Sequence, residues 1–379
     1  MNKRTLGKRN PAEVSILGFG CMRLPHEPGK YSEILEEEAK KQIRYAIDNG
    51  LNYIDTAWPY HEGNSEAFVG RTLNNGYREK VYIADKLPSW LVKSREDMDK
   101  FLDEQLKRLD VEYIDFYLIH ALNRGFFDNL TKLNLFDFIE KALASGKIKN
   151  IGFSFHDKYE VFEEIINAYD WDFCQIQFNF YDEEYQAGLK GLKLAASKNI
   201  DVVVMEPLRG GRLANNVPDE VKDIYNATGK KHSPAGWAFR YIWNYPEVKT
   251  VLSGMNDLNH VKDNLSEANK ALPNTLKAEE KTAIKKVEKF YKAKIQVDCT
   301  NCKYCMPCPF GINIPGNFAF YNNAHVFNDK DHFKTAFYEQ MKPEQMADMC
   351  QKCGECLVKC PQNIQIIDEL EKVAEYFKK

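Results

Sequence analysis

A (β/α)8 TIM barrel followed by a small α-helical domain is the fold class this 379-residue sequence predicts. Three observations predict it. Between residues 15 and 270, eight short apolar runs alternate with amphipathic segments, the count of a barrel in which each parallel strand is followed by a helix. The first run, LGFGCM, lacks the G-x-G-x-x-G turn that usually marks an open doubly wound sheet, the alternative architecture. Of ten cysteines, all but Cys21 and Cys174 crowd into two runs after residue 298, which sets the tail apart.

The opening segment, KRTLGKRNPAEVSIL, is apolar at both ends with Gly7, Asn10 and Pro11 between, and reads as a hairpin preceding the barrel. The expected strands are then ILGFGCM, NYIDTA, VYIADK, IDFYLIH, NIGFS, FCQIQFN, DVVVME and TVLSGM. Between them EEEAKKQIRYAIDNG, SREDMDKFLDEQLKRLD and DKYEVFEEIINAYD carry helical periodicity. The last places Tyr159, Phe162, Ile165 and Ile166 on one face, and the first closes at Gly50. After Pro273 a Lys/Glu-rich helix is expected over 277–292. The boundary falls near residue 295, giving a barrel domain over 1–294 and a cysteine domain over 295–379.

Composition narrows the function. Apolar residues at 44% and aromatics at 13% suffice for a sizeable core, and a net charge of −3 leaves no footprint for nucleic acid. The longest apolar runs, such as VVVM and FYLI, are too short to span a bilayer, and the basic N-terminus has no apolar core of a signal peptide. Neither a nucleic-acid nor a membrane partner is expected. Cysteines clustered rather than spread through the fold speak for metal ligation in a reducing compartment, the cytoplasm.

Catalytic groups in such barrels stand where strands end at the C-terminal face. Three runs deliver polar residues there: Asp55 in NYIDTA, Lys86 in VYIADK and His120 in FYLIH, with Tyr60 just past Asp55. A tyrosine with an ordinary pKa of about 10 is a reluctant proton donor at neutral pH and needs a nearby cation. Lys86 is placed to supply it, Asp55 to hold Lys86, and His120 to hydrogen-bond a substrate oxygen. Taken singly, Asp55 and Lys86 read equally as a structural ion pair, His120 as a satisfied histidine and Tyr60 as a loop aromatic. Four such groups at successive strand ends read together as an acid–base site for a carbonyl.

The stretches NYIDTAWPYHEGNSEAFVG and EQLKRLDVEYIDFYLIH resemble the two signature regions of the aldo-keto reductases, a likeness covering residues 3 to 270. The resemblance implies a catalytic tetrad: Tyr60 as general acid, Lys86 tuning it, Asp55 supporting Lys86 and His120 orienting the carbonyl. It also implies a nicotinamide cofactor. Ser154 and Gln175 match the carboxamide-binding positions, and Met205 stands where a tyrosine often stacks on the nicotinamide. Pro207 and Leu208, with Glu206, Arg209 and Gly210, resemble the loop over the pyrophosphate. Ser253, Gly254 and Met255 open the adenosine-end segment, in which Asp263 and Asn264 match adenine contacts. Phe155 departs from the asparagine of many members. Gly254 and His260 stand where members preferring NADPH put cations against the 2′-phosphate, so NAD and NADP both remain open. Trp58, Trp90, Phe126 and Phe127 read either as an apolar substrate pocket or as loop aromatics packed on one another; the substrate, a carbonyl or alcohol, is not named.

In the second cysteine run, Cys350, Cys353, Cys356 and Cys360-Pro361 repeat the bacterial ferredoxin spacing. The first run, Cys299, Cys302, Cys305 and Cys308-Pro309, has one residue fewer before its last cysteine. Two 4Fe–4S clusters are expected, with zinc or a single cluster as alternatives. By the ferredoxin rule the fourth cysteine of each run serves the other cluster. This pairs Cys299, Cys302, Cys305 and Cys360 on one and Cys350, Cys353, Cys356 and Cys308 on the other. The stretch between the runs reads as helical, and the whole chain is similar to the iron–sulfur branch of the aldo-keto reductases with an α-helical ferredoxin-like module. Cys21 and Cys174 are expected as small core residues.

A hydride carries two electrons and a cluster passes one at a time, and no flavin motif is present to convert between them. Three functions follow: an NAD(P)-dependent carbonyl reductase with structural or sensing clusters; an electron-transfer oxidoreductase serving a redox partner protein; and a non-enzymatic nicotinamide sensor that docks a partner.

Overall fold

The computed structural model describes residues 1–215, 217–299, 305–360 and 362–378. Eight parallel strands close into a barrel: β3 (Leu17–Gly20), β4 (Tyr53–Asp55), β5 (Tyr82–Leu87), β6 (Ile114–Leu122), β7 (Ile148–Phe155), β8 (Phe173–Gln177), β9 (Asp201–Met205) and β10 (Val248–Ser253), with β10 pairing back onto β3. Each overlaps one of the eight apolar runs, and β5, β6, β7 and β10 extend past the ends of theirs. Strands of a parallel barrel are covered on both faces, so they appear in sequence as continuous apolar stretches rather than alternating ones. Their outward side chains meet the surrounding helices in one large core that includes Ile54, Ile83, Phe153 and Trp171, all at most 1% exposed.

The predicted helices form where the periodicity places them, at Glu36–Asp48, Arg95–Leu109 and Tyr159–Ala168. Gly50, with φ +94°, ends the first, and the carboxylate of Asp97 accepts from the Ser94 backbone N–H at the start of the second. In the third, Phe162, Ile165 and Ile166 are buried, whereas Tyr159 is half-buried beneath the Lys190 ammonium, 3.6 Å from its ring centre.

The opening segment is an antiparallel hairpin, β1 (Lys3–Leu6) with β2 (Ala12–Ser15). Leu6, Ala12 and Val14 join the inward-facing Tyr53, Phe116, Phe173 and Val203 in a second core, so the hairpin closes the barrel floor. Its turn is tied to strand starts: the Gly7 N–H donates to Asp201 at 2.8 Å, that of Arg9 to Asp172 at 3.0 Å and that of Asn10 to Asn150 at 3.1 Å. With the floor sealed, the opposite, C-terminal face is left for a site.

The chain divides into two units, residues 1–215 with 230–281, which hold the barrel, and residues 216–229 with 282–379. In the second, the stretch between the cysteine runs is helical as expected, at Ile314–Val326 and Lys330–Gln340, and a further helix spans Ile366–Phe377. Phe318, Phe333, Phe337, Leu370 and Phe377 are buried among them, with Phe337 and Phe377 stacked at 4.8 Å. No helix among the described residues is long and apolar enough to cross a membrane.

Candidate active site and cysteine centre

The ends of β4, β5 and β6 bring Asp55, Lys86 and His120 together, and the turn Tyr60–Gly63 adds Tyr60. Lys86 is fully buried, and its ammonium donates to Asp55 Oδ1 at 2.8 Å, to the Thr56 carbonyl at 2.6 Å and to the Tyr60 hydroxyl at 3.4 Å. All three of its protons are thereby placed. Burial alone would lower the Lys86 pKa, but the facing Asp55 carboxylate outweighs it and holds the group charged.

Tyr60 is pushed up to about 12, first by burial, with Lys86 pulling the other way. The expected influence of Lys86 is thus present in sign, while burial exceeds it, so Tyr60 carries its proton at neutral pH. His120 packs edge-on to Tyr60 with ring centres 6.3 Å apart. Burial, then the charge of Lys86, hold it well below the usual histidine range, so it is neutral. Its Nδ1 is buried with no partner among the described residues.

Tyr60, Asp55 and His120 line a cavity of about 630 Å³, with Lys86 behind them rather than on the wall. The same wall carries Ser154, Gln175, Met205, Pro207, Leu208, Ser253, Gly254, Met255, Asp263 and Asn264, and of the loop expected over the pyrophosphate only Arg209 is absent from it. Ser154 Oγ accepts from the Ala121 N–H at 2.7 Å, Asn264 donates to Ser253 Oγ at 2.9 Å, and Ser233 donates to Asp263 at 2.6 Å. Gln175 holds its amide nitrogen 3.5 Å from the Met205 sulfur, and its buried Oε1 has no partner among the described residues. An orphaned amide oxygen in a roomy cleft is a ready acceptor for the carboxamide of a nicotinamide, so the residues present fit that cofactor.

Other expectations resolve differently. Phe155 is buried in the barrel core and is absent from the wall. Of the four aromatics with two readings, Trp90 lines the cavity, 5.1 Å from the His120 ring centre. Trp58 instead lies beneath the Arg108 guanidinium at 3.7 Å and against Phe101, while Phe126 and Phe127 pack into the core. Arg209 pairs with Asp182 at 2.9 Å. Arg23, Tyr31 and His156 are on the wall without having been singled out in the sequence, because they come from loops with no periodicity or motif. Backbone strain gathers at the site: His61, Glu62, Ala121, Glu206 and Arg209 all have positive φ, between 47° and 54°.

In the tail unit, Cys305, Cys308, Cys350, Cys353 and Cys356 line one small cavity. Burial, and then the closeness of Cys350, Cys353 and Cys308, raise the Cys356 thiol above its usual range. Cys299 and Cys360 are not on that wall, and Cys302 lies outside the described residues. Among the described residues no three His, Cys, Asp or Glu side chains form a set at metal-ligating distance. A soft set of five thiols around one cavity nonetheless suits an iron–sulfur centre. Cys21 and Cys174 are fully buried in the barrel core.

A closed barrel with an acid–base cluster at its C-terminal mouth, joined to a cysteine-rich helical unit, defines an oxidoreductase, and comparison with known proteins gives its family. Residues 16–289 match the model of the Aldo/keto reductase family, and the chain belongs to that family. Residues 298–365 match a 4Fe-4S dicluster domain. Methylglyoxal reductase YeaE of Escherichia coli is 28% identical over 195 residues, 48% of this chain and 64% of its own. The holo form of an aldo-keto reductase from Bacillus halodurans superposes with a TM-score of 0.63 at 26% identity, over 76% of this chain and 96% of that one. A Klebsiella pneumoniae aldo-keto reductase in complex with NADPH shares the fold, with a TM-score of 0.62 at 23% identity, over 76% and 96% of the two chains.

Proposed function

We propose that the barrel is an NAD(P)H-dependent reductase of small aldehydes or ketones, working in reverse as an alcohol dehydrogenase, with Tyr60 as the proton donor. The observation that carries this is the fully buried Lys86 ammonium held between Asp55 and the Tyr60 hydroxyl. Family membership and the unpartnered Gln175 oxygen on the wall support the cofactor. YeaE, named as a methylglyoxal reductase, supports a carbonyl substrate.

A bound nicotinamide supplies the hydride. The carbonyl oxygen lies within reach of the Tyr60 hydroxyl and of His120, which as a neutral imidazole donates one N–H and adds no second charge. Tyr60 gives its proton to that oxygen as negative charge builds there, and the phenolate left behind is stabilised by Lys86, whose own charge Asp55 compensates. Fixed dipoles and a buried cation act strongly here because little water competes with them. Ser154 and Gln175 hold the carboxamide, and Trp90 supplies an apolar wall to the substrate.

In the tail we infer two 4Fe–4S clusters. Cys308 shares a cavity with Cys350, Cys353 and Cys356, as the expected crossing of the fourth ligand requires, and Cys305 of the first run stands on the same wall. Since nothing in the tetrad splits a hydride into single electrons, the clusters are assigned a structural or sensing part. Optical spectroscopy of anaerobically purified protein tests this. Addition of an aldehyde with NADPH or NADH is expected to consume the nicotinamide absorbance while cluster absorbance stays constant. Bleaching of the clusters by reduced nicotinamide alone would replace this reading with electron transfer to a partner.

A further inference from the structure

Arg23 is the one permanent cation on the wall of the barrel cavity among the described residues. It ends the short turn Cys21–Arg23 after β3, and its side chain is 46% exposed. The side chain lies alongside two glycines from distant parts of the chain, its guanidinium beside Gly210 and its aliphatic stem beside Gly254. A Cβ on Gly210 would stand 3.3 Å from Arg23 Nη2, and one on Gly254 would stand 3.2 Å from Arg23 Cβ. Gly210, at φ +70°, belongs to the loop after β9, and Gly254 directly follows β10. Both positions therefore leave the arginine room that a side chain would take.

None of the five guanidinium N–H groups makes a hydrogen bond among the described residues. Among the described residues the Arg23 charge is met only by Glu206 Oε1, 3.7 Å from Nη2. An arginine fork left open over a cleft, beside two exposed backbone turns, is suited to an anion with several oxygens. The location says which anion. Gly210 lies in the loop resembling the one that covers the pyrophosphate, and Gly254 opens the adenosine-end segment. The residues matching adenine contacts, Asp263 and Asn264, come later, in the helix Leu258–Lys270.

We propose that Arg23 binds the diphosphate bridge of the nicotinamide cofactor, an inference that rests on the cofactor reading above. A guanidinium committed to the diphosphate treats NADH and NADPH alike, and leaves the extra 2′-phosphate without a permanent cation on the described wall.

Equilibrium binding to the whole protein, followed by titration calorimetry, tests the assignment with ADP-ribose, NADH and NADPH as probes. Arg23→Ala is expected to weaken all three by the same factor, about tenfold for the loss of a charge-assisted contact at a half-exposed site. Arg23→Lys, which keeps the charge but not the fork, is expected to lose less. Because the side chain is half-exposed, both variants keep the barrel core intact. Unchanged affinity of Arg23→Ala for ADP-ribose would overturn the proposal, as would a loss confined to NADPH, which would move the arginine to the 2′-phosphate. If the wild-type protein binds none of the three ligands, the cofactor reading itself fails and this one with it. Wild-type binding that survives Arg23→Ala undiminished removes Arg23 alone.

Discussion

Lys86 and Asp55 are 0% and 2% exposed, and each makes the other's charge tolerable inside the barrel. Lys86→Met therefore strands a buried carboxylate. It is expected to cost about 3–5 kcal/mol of barrel stability, measured by urea denaturation, along with carbonyl reduction. Adding Asp55→Asn should restore much of the stability and none of the activity, because the phenolate still lacks its cation. The raised pKa of Tyr60, up to about 12, fixes the pH behaviour. Reduction needs the protonated phenol, so its rate should stay level between about pH 7 and 10. Alcohol oxidation needs the phenolate and should climb steadily over that window, by up to about tenfold per pH unit. At this scale the sequence pointed to Asp55, Tyr60, Lys86 and His120 because each sits at or just past the end of an apolar run, and the fold brings the four together. Arg23, Tyr31 and His156 were hidden, since loops reach the same cavity without any spacing rule to announce them.

The eight strands were legible for a similar reason: a strand covered on both faces has no polar alternation to blur it. What the chain order could not convey is the use made of the N-terminal hairpin. Its apolar–turn–apolar pattern predicts two strands, but only the packing of Leu6 and Val14 under Tyr53 and Phe116 makes it the barrel floor. Leu6 is fully buried there. Leu6→Ala should cost about 2–5 kcal/mol, read as a shift in the urea midpoint of the barrel. The lost stability should come with little change in KM, since the floor and the catalytic mouth are at opposite ends of the strands.

For the molecule as a whole, the cysteine spacing announced an iron–sulfur tail, and the match of residues 298–365 to a dicluster domain agrees. The partition of ligands is a question of which thiols meet in space. Cys305 and Cys308 line a cavity with Cys350, Cys353 and Cys356, across a helical segment that separates the two runs in sequence. Iron analysis of anaerobic protein should return about eight irons per chain. Cys308→Ala should damage the same cluster as Cys353→Ala, with matching changes in the electron paramagnetic resonance of the reduced protein. Distinct signatures for the two variants would undo the crossed pairing.

The account turns on one hydroxyl group. Tyr60→Phe keeps the ring against His120 and removes only the oxygen 3.4 Å from Lys86 Nζ. Steady-state carbonyl reduction by this variant, measured beside its affinity for reduced nicotinamide, tests the claim most directly. The expected result is unaltered cofactor binding with turnover lower by about 10²- to 10⁴-fold. Turnover close to that of the wild type, with the cofactor bound, would contradict Tyr60 as the proton donor.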